Sequence, residues 1–390
     1  MNHKRPAILL LCLALLFLAI TGCTAPGSGN IQPDPDAPSS NDGSLAADPG
    51  QNIDNETPGG IDFNAAIASF SPDTIMIRSG ALSITWADLY VFLFRTVSDL
   101  IYTYGPAFDW SDGSNTGNPL SDVVLEYAAE EALTFLAYMY GAESLGLTLS
   151  NEEIEEFTED INGLIEMYGS KELFEASLLE NGGFYSLDVF EKLFRIEYTV
   201  GLLITKLYGE NTSLFPDDRV AEYAEENGFL MAMHILRLKK EDDNTPLEES
   251  EAILKQLNEH RDSEGFQDVF FSMMNQHSED HGGLASSPNG YLFQFTDMVE
   301  PFSLATVALE IGQMSDIVET VYGYHIILRI PIDDEAVPSS LSREGIFRTL
   351  RQIAALSDFE TLLHGWRDAM NVEYTSEFRS IDLAAIFKTN

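Results

Sequence analysis

The residues of this chain with the widest chemical range are its histidines and carboxylates. His277 and His281 stand four apart and flank Glu279 and Asp280. On a helix, two imidazoles at that spacing share a face and can hold a divalent metal. Gly282-Gly283 follows at once and argues for a loop, in which Asp280 is a solvated charge. His234 and His325 each sit in an apolar run, Met233-His234-Ile235-Leu236 and Tyr324-His325-Ile326-Ile327. A single His near the end of a strand is ordinarily a structural hydrogen-bonding group. Phe293, Met298 and Phe302, taken alone, read as core. The only cysteines are Cys12 and Cys23, so the body of the chain has no disulfide framework, no thiolate-ligated metal and no thiol nucleophile.

The elements that must position these residues follow from hydrophobic period and turn chemistry. Thr74 to Ile84 reads as a hairpin turning at Ser79-Gly80. Helices are predicted over about 86–104 and 120–145. Another begins at Ser150, which forms a capping-box pattern with Glu153 and precedes an apolar face of Ile154, Phe157, Ile161, Leu164 and Ile165. Further helices are predicted at about 170–180 and 186–208, and none of these segments carries a cluster suited to catalysis. The pattern changes at Gly228. Leu230 to Leu238 reads as a strand, and Pro246 to Asn258 as a helix capped by Thr245, with Glu248 closing the box. Phe266 to Met274 is a further helix. Strands at about 291–295, 316–320 and 324–330, with a helix at 299–309, complete a small α/β unit. Ser342 to Met370 reads as helix and Val372 to Thr375 as strand.

Composition sets the wider limits. A chain of 390 residues has room for two or three domains, and 45% hydrophobic with 11% aromatic residues can build a core. A formal net charge of -42 excludes nucleic acid as a partner, because phosphate binding needs clustered Lys and Arg. At the N-terminus, Lys4 and Arg5 precede an apolar run of 14 residues, Ala7 to Ile20. The run is shorter than the roughly 20 residues of a membrane span. It reads as a cleaved leader, residues 1–22. Ile20-Thr21-Gly22-Cys23 resembles the bacterial lipobox, which implies lipidation of Cys23 and attachment to a membrane. Residues 24–61 are rich in Pro, Gly, Ser, Asn and Asp, with six acidic side chains and no basic one. The stretch 23–61 is therefore expected to be a flexible tether, with order beginning near Asp73.

One stretch carries a family likeness. Met298-Val299-Glu300-Pro301-Phe302, Gly312-Gln313-Met314-Ser315 and Val318-Glu319-Thr320-Val321-Tyr322-Gly323-Tyr324-His325-Ile326-Ile327 resemble the parvulin family of peptidyl-prolyl isomerases, without a gap from Phe293 to Arg329. Met233-His234-Ile235-Leu236 resembles the family's first strand, and Ser278-Glu279-Asp280 the segment that carries its active-site Cys or Asp. The resemblance implies a parvulin-like domain over 227–333. It implies a proline pocket of Phe293, Met298 and Phe302, and paired histidines His234 and His325 at its floor. Asp280 would stand beside the substrate amide, with Thr320 in the same network. It implies no cofactor and no metal. An X–Pro bond turns over a barrier of about 18–20 kcal/mol without any covalent bond breaking, so an apolar pocket that favours the less polar, twisted amide suffices. Two departures stand out. Many parvulins have Gly-Asp-Leu-Gly before the pocket Phe; here the stretch is Pro288-Asn289-Gly290-Tyr291-Leu292, so a pocket Leu is replaced near Gly290. Arg237, Lys239 and Lys240 are followed by Glu241, Asp242 and Asp243, which is not the basic cluster that phosphorylated substrates require.

The layout as a whole resembles the PrsA and SurA type of extracytoplasmic foldase, and Ile84-Thr85-Trp86-Ala87-Asp88-Leu89 resembles the start of that family's N-terminal domain. The expected fold class is α+β. Residues 62–226 and 334–390 together would form a mostly helical chaperone domain, with the small α/β domain inserted between them. The implied function is isomerisation and folding of exported proteins with X–Pro bonds at the outer face of a bacterial membrane. A holdase with a dormant isomerase domain is the alternative. A solute-binding lipoprotein would need two α/β lobes, and the chain offers one small unit.

Overall fold

The computed structural model describes residues 60–114 and 116–388. The expected leader 1–22, the expected lipidation site Cys23 and all but the last two residues of the expected tether 23–61 lie outside the described residues. Seven strands are present among the described residues: β1 (Ile75–Ser79), β2 (Leu82–Thr85), β3 (Phe229–Leu238), β4 (Tyr291–Gln294), β5 (Val318–Glu319), β6 (Gly323–Arg329) and β7 (Val372–Tyr374). The chain divides into two compact units. One runs to Leu203 and resumes at Leu362, and the other is Ile204–Thr361. The fold is thus mostly helical with a small α/β domain, the class that the sequence predicts.

In the first unit, β1 and β2 form the hairpin, and β7 pairs antiparallel with the other side of β1 in the order β2-β1-β7. The helix Trp86–Tyr104 starts at a true capping box, in which Thr85 receives the Asp88 N–H and Asp88 receives the Thr85 N–H. Ser150 and Glu153 make the second box, as the sequence predicts. Each cap satisfies helix-end donors that would otherwise lack a partner. Order begins earlier than Asp73. A short helix, Phe63–Ile67, is capped by Asp62, and its carbonyls accept from Tyr90 Oη and Trp86 Nε1 at 2.9 and 2.7 Å. The reason is aromatic burial: Phe63 packs on Phe94 and Phe70 on Trp86, with ring centroids 4.7 and 4.9 Å apart. The C-terminal segment completes this unit. Trp366 lies over Gly141, Arg367 pairs with Glu130, and Phe387 is fully buried and stacks on Tyr90. Among the described residues no helix is long and apolar enough to cross a membrane.

The second unit is built on an antiparallel sheet of order β4-β3-β6-β5. The helices Thr245–Asn258 and Phe266–His277 pack on β3, and the helix Glu300–Ala308 packs on β6. The helix Asp217–Glu226 and the first part of Leu350–Ala369 also belong here, held by Arg351 bonded to Asp217, Asp334 and Glu335, and by Asp358 bonded to Tyr208 and Arg219. Two expectations need correction. The N-cap of Thr245–Asn258 is Asn244, not Thr245; the Asp243 carboxylate captures the Thr245 N–H at 2.9 Å and starts the helix one residue early. The predicted helix Ser342–Met370 is broken, because Gly345 adopts φ 76°, and the helices are Ser339–Arg343 and Leu350–Ala369.

One buried charge makes a stability prediction. Glu197 lies in the helix Leu187–Tyr208, is 6% exposed, and its Oε2 has no hydrogen-bond partner among the described residues. Burial pushes its carboxyl up to about 8, against the opposing pull of Arg95. Because the folded state holds the proton more tightly, this group's contribution to stability is complete below the unfolded value near 4.5 and is lost as pH rises through about 8. Glu197→Gln is expected to melt near the wild type at pH 5 and several degrees above it at pH 9. Parallel thermal melts at the two pH values check this.

Candidate active site

The sheet register decides which side chains meet. Along β3, alternate residues Ala232, His234 and Leu236 share one face. Pairing sets Tyr291 opposite Ala232, Ile327 opposite His234 and His325 opposite Leu236. His234 and His325 are thus diagonal neighbours on one face, and their rings stack with centroids 5.2 Å apart. The Gly of the Gly-Tyr-His-Ile-Ile motif fixes this register by close approach: a Cβ at Gly323 would lie 2.1 Å from the Arg237 carbonyl oxygen.

Four side chains then form one line of hydrogen bonds. Thr320 Oγ1 is 2.9 Å from His325 Nε2, His325 Nδ1 is 3.0 Å from His234 Nδ1, and His234 Nε2 is 2.9 Å from Asp280 Oδ2. The partners assign the hydrogens. An ionised Asp280 only accepts, so His234 Nε2 carries a hydrogen and donates. When each ring carries a single hydrogen, His234 Nδ1 accepts, so His325 Nδ1 donates. His325 Nε2 then accepts from the Thr320 hydroxyl. All bonds point from Thr320 toward Asp280. The Thr320 oxygen is held in turn by the Tyr322 N–H at 3.1 Å. Burial pushes His325 down to about 3, and the neighbouring His234 acts in the same direction. His325 is therefore neutral at physiological pH.

Asp280 reaches this line because it caps a helix. His281–Ser286 is helical, with Asp280 as N-cap accepting the Gly283 N–H at 2.9 Å. This corrects the loop expected from Gly282-Gly283. It also separates His277, which ends the preceding helix, from His281, so the two do not share one helix face. Ser278 and Glu279 run along the edge of β3 beyond the end of β4, where the Glu279 N–H donates to the Leu236 carbonyl at 2.8 Å. The bond from His234, first, and then those from Gly283 and Tyr291, hold the Asp280 carboxyl well below the usual carboxylate range, although burial opposes them. Tyr291 is the residue that sequence reasoning missed. Its hydroxyl donates to Asp280 Oδ2 at 2.8 Å, and its ring meets the His234 ring edge-on. The one signal was an aromatic where the parvulin pattern has a Gly.

The apolar wall is Phe302, whose ring stands 5.3 Å from His234 and 5.4 Å from His325, nearly perpendicular to the first. Phe293 packs behind it at 5.7 Å and is fully buried, so it supports the wall from within rather than facing an open pocket. Met298 is partly buried against the same cluster. The sheet thus brings together His234, His325, Thr320, Asp280, Phe293, Met298 and Phe302. Gly290, where a pocket Leu was missed, has φ 111°, and a Cβ there would lie 2.8 Å from the Ala232 carbonyl oxygen. The backbone itself excludes a side chain at this position. Beside Asp280 lies a small cleft that includes His234, Met274, Leu284 and Tyr291 in its lining.

Comparison with known proteins agrees with this geometry. Residues 234–330 match the family described as rotamase, the PPIC-type PPIASE domain. Over 201 residues the chain is 29% identical to the foldase protein PrsA of Geobacillus sp. (strain WCH70), covering 51% of this chain and 63% of that protein. Over 250 residues it is 27% identical to the foldase protein PrsA of Halalkalibacterium halodurans, covering 60% and 71%. The chain thus matches less than two thirds of the Geobacillus protein's length. Among solved structures, PrsA from Bacillus subtilis is similar at 20% identity over 82% of this chain and 100% of that one, with a TM-score of 0.23. Residues 234–330 are therefore a parvulin-type domain.

The line of bonds predicts its own cost of interruption. Thr320→Val leaves His325 Nε2 and the Tyr322 N–H without their partner. The variant is expected to lose about 1–3 kcal/mol from the unit Ile204–Thr361, the usual cost of an unpaired buried polar group. Urea unfolding followed by amide exchange of β3 and β6 checks it.

Proposed function

We propose that this chain, which carries a parvulin-type domain, is a peptidyl-prolyl cis-trans isomerase and foldase for exported proteins. The observation that carries the reading is the apolar wall of Phe302 and Met298 set against the neutral His325 imidazole and its hydrogen-bonded partner His234, beside an ionised carboxylate. No covalent step is needed. A planar X–Pro amide carries partial negative charge on its oxygen, and twisting the C–N bond removes much of it. The wall excludes water from the proline ring, and neutral His325 keeps the floor of the site uncharged. The Asp280 carboxylate, placed beside the substrate carbonyl, disfavours the polar planar state more than the twisted one. Binding is thereby differential, which is the requirement for catalysis. Neither cofactor nor metal enters this scheme.

The names of the PrsA relatives support the foldase reading. The clients would be unfolded or partly folded exported chains with X–Pro bonds. The lipobox supports anchoring through a lipid on Cys23 at the outer face of a bacterial membrane, with 23–61 as the tether. The PrsA and SurA layout favours a chaperone role for 62–226 together with 334–390, and a catalytic role for 227–333. A second reading, a holdase with a weak isomerase domain, is favoured by one observation: Gly290 presents no side chain to the substrate where the family has Leu.

A protease-coupled assay of residues 24–390 on peptides with varied residues before Pro is expected to show catalysed isomerisation. Met298→Ala should lower kcat/KM about tenfold, equivalent to about 1.4 kcal/mol of transition-state binding. A folded wild-type protein without activity, which still prevents client aggregation, would move the assignment to the holdase.

A further inference from the structure

The Asp280 carboxylate takes three protein donors: His234 Nε2 and Tyr291 Oη on Oδ2, and the Gly283 N–H on Oδ1. An Asp side chain turns freely about two bonds, and the Gly283 N–H, a donor of local origin, does not by itself hold it toward His234. Gly283 comes from the helix that Asp280 itself caps. Tyr291 comes from β4, which is rigidly paired to β3 through Tyr291 opposite Ala232. The phenol hydroxyl therefore ties the carboxylate to the same sheet that carries His234. The space for it is made on purpose of shape: a Cβ at Gly283 would fall 2.0 Å from the Tyr291 hydroxyl and 2.4 Å from Asp280 Oδ2. Tyr291 and a bare backbone at 283 are thus one device. The ring adds a second restraint, because its edge-on contact with His234, centroids 5.5 Å apart at 65°, limits rotation of that imidazole.

We infer that Tyr291 is a positioning residue of this site, acting through Asp280 to select the hydrogen-bond direction of the His234–His325 pair. The inference rests on the isomerase reading for its catalytic consequence only. Without the hydroxyl, Asp280 can turn from His234 while still capping its helix. His234 Nε2 then loses its fixed acceptor, and either Nδ1 of the pair can carry the shared hydrogen. The line then mixes two directions, and the reverse one takes the Thr320 hydroxyl from His325 Nε2 and turns it toward the Gly323 carbonyl, which lies 3.4 Å away.

The test is Tyr291→Phe in the whole chain, which keeps the ring and removes one oxygen. Long-range ¹H–¹⁵N spectra of the imidazoles report the tautomers directly and need no turnover. Wild type is expected to show single tautomers, hydrogen on Nε2 of His234 and on Nδ1 of His325. The variant is expected to show a mixture at both rings, with an unchanged melting temperature. Loss of one donor weakens the set of bonds that keeps the Asp280 carboxyl low, so its value rises in the variant. At pH 7, kcat/KM should fall about three- to tenfold. Gly283→Ala, which crowds both the hydroxyl and Asp280 Oδ2 and so separates them, should give the same mixed tautomers. Single, unchanged tautomers in Tyr291→Phe overturn the inference. If the tautomers mix as expected in a protein whose wild type has no isomerase activity, positioning by Tyr291 stands and the isomerase reading falls.

Discussion

Two imidazoles whose Nδ1 atoms face each other at 3.0 Å can share only one hydrogen. This constraint organises the site. One ring must donate and the other accept, so the outer nitrogens need partners of opposite kind: a donor at His325 and an acceptor at His234. Each comes from a different element. Thr320 is delivered at the end of β5 by the tight connection to β6, and Asp280 by the first turn of His281–Ser286. A buried donor or acceptor left alone costs about 1–3 kcal/mol, which is a large part of a domain's net stability. The pairing of β3 with β6, the β5 turn and the short helix are therefore coupled through four side chains.

The two units solve burial in different ways. The helical unit relies on aromatic packing around Trp86, Tyr90 and Phe387, and Glu197, a buried carboxylate with an oxygen that has no hydrogen-bond partner among the described residues, is destabilised in its charged form. The sheet unit places polar groups in its interior but gives each member of the line a partner. Phe302 serves both purposes there, since it closes the core over Phe293 and presents its ring to both imidazoles. The strongly acidic surface contributes little to either arrangement. On that surface Arg237 pairs with Glu249 and Lys239 with Glu319.

Much of this was legible in the sequence because local chemistry and tertiary context agreed. The period-2 run Leu230 to Leu238, the Thr85 and Ser150 starts, and the Gly-Tyr-His-Ile-Ile motif each name their element and their burial. Where they diverged, reading failed for identifiable reasons. Asp243-Asn244-Thr245 offers three capping side chains in a row, and only the bond from Thr245 N to Asp243 decides among them. Gly282-Gly283 resembles a loop because helix propensity penalises glycine; the capping carboxylate and the crowding at Gly283 outweigh that penalty. The helix Phe63–Ile67 was not expected, because the partners that order it, Trp86, Tyr90 and Phe94, stand about 20 to 30 positions further along the chain. Tyr291 departed from the family pattern without naming a role, because its role exists only across the sheet.

The pairing of β1 with β7 has a consequence for the time course of folding. Thr375 Oγ1 donates to the carbonyl of Ile75, a bond that spans 300 positions of chain, and β7 must arrive before the β2-β1-β7 sheet exists. Contacts so distant along the chain form late, because the loop they close is long. The strands β3 to β6, by contrast, lie within about one hundred consecutive residues and can assemble without either terminus. A chain emerging from its N-terminus would therefore begin the helical unit first and finish it last. Its β1–β2 hairpin would wait, with one edge unpaired, until nearly the whole molecule had been synthesised.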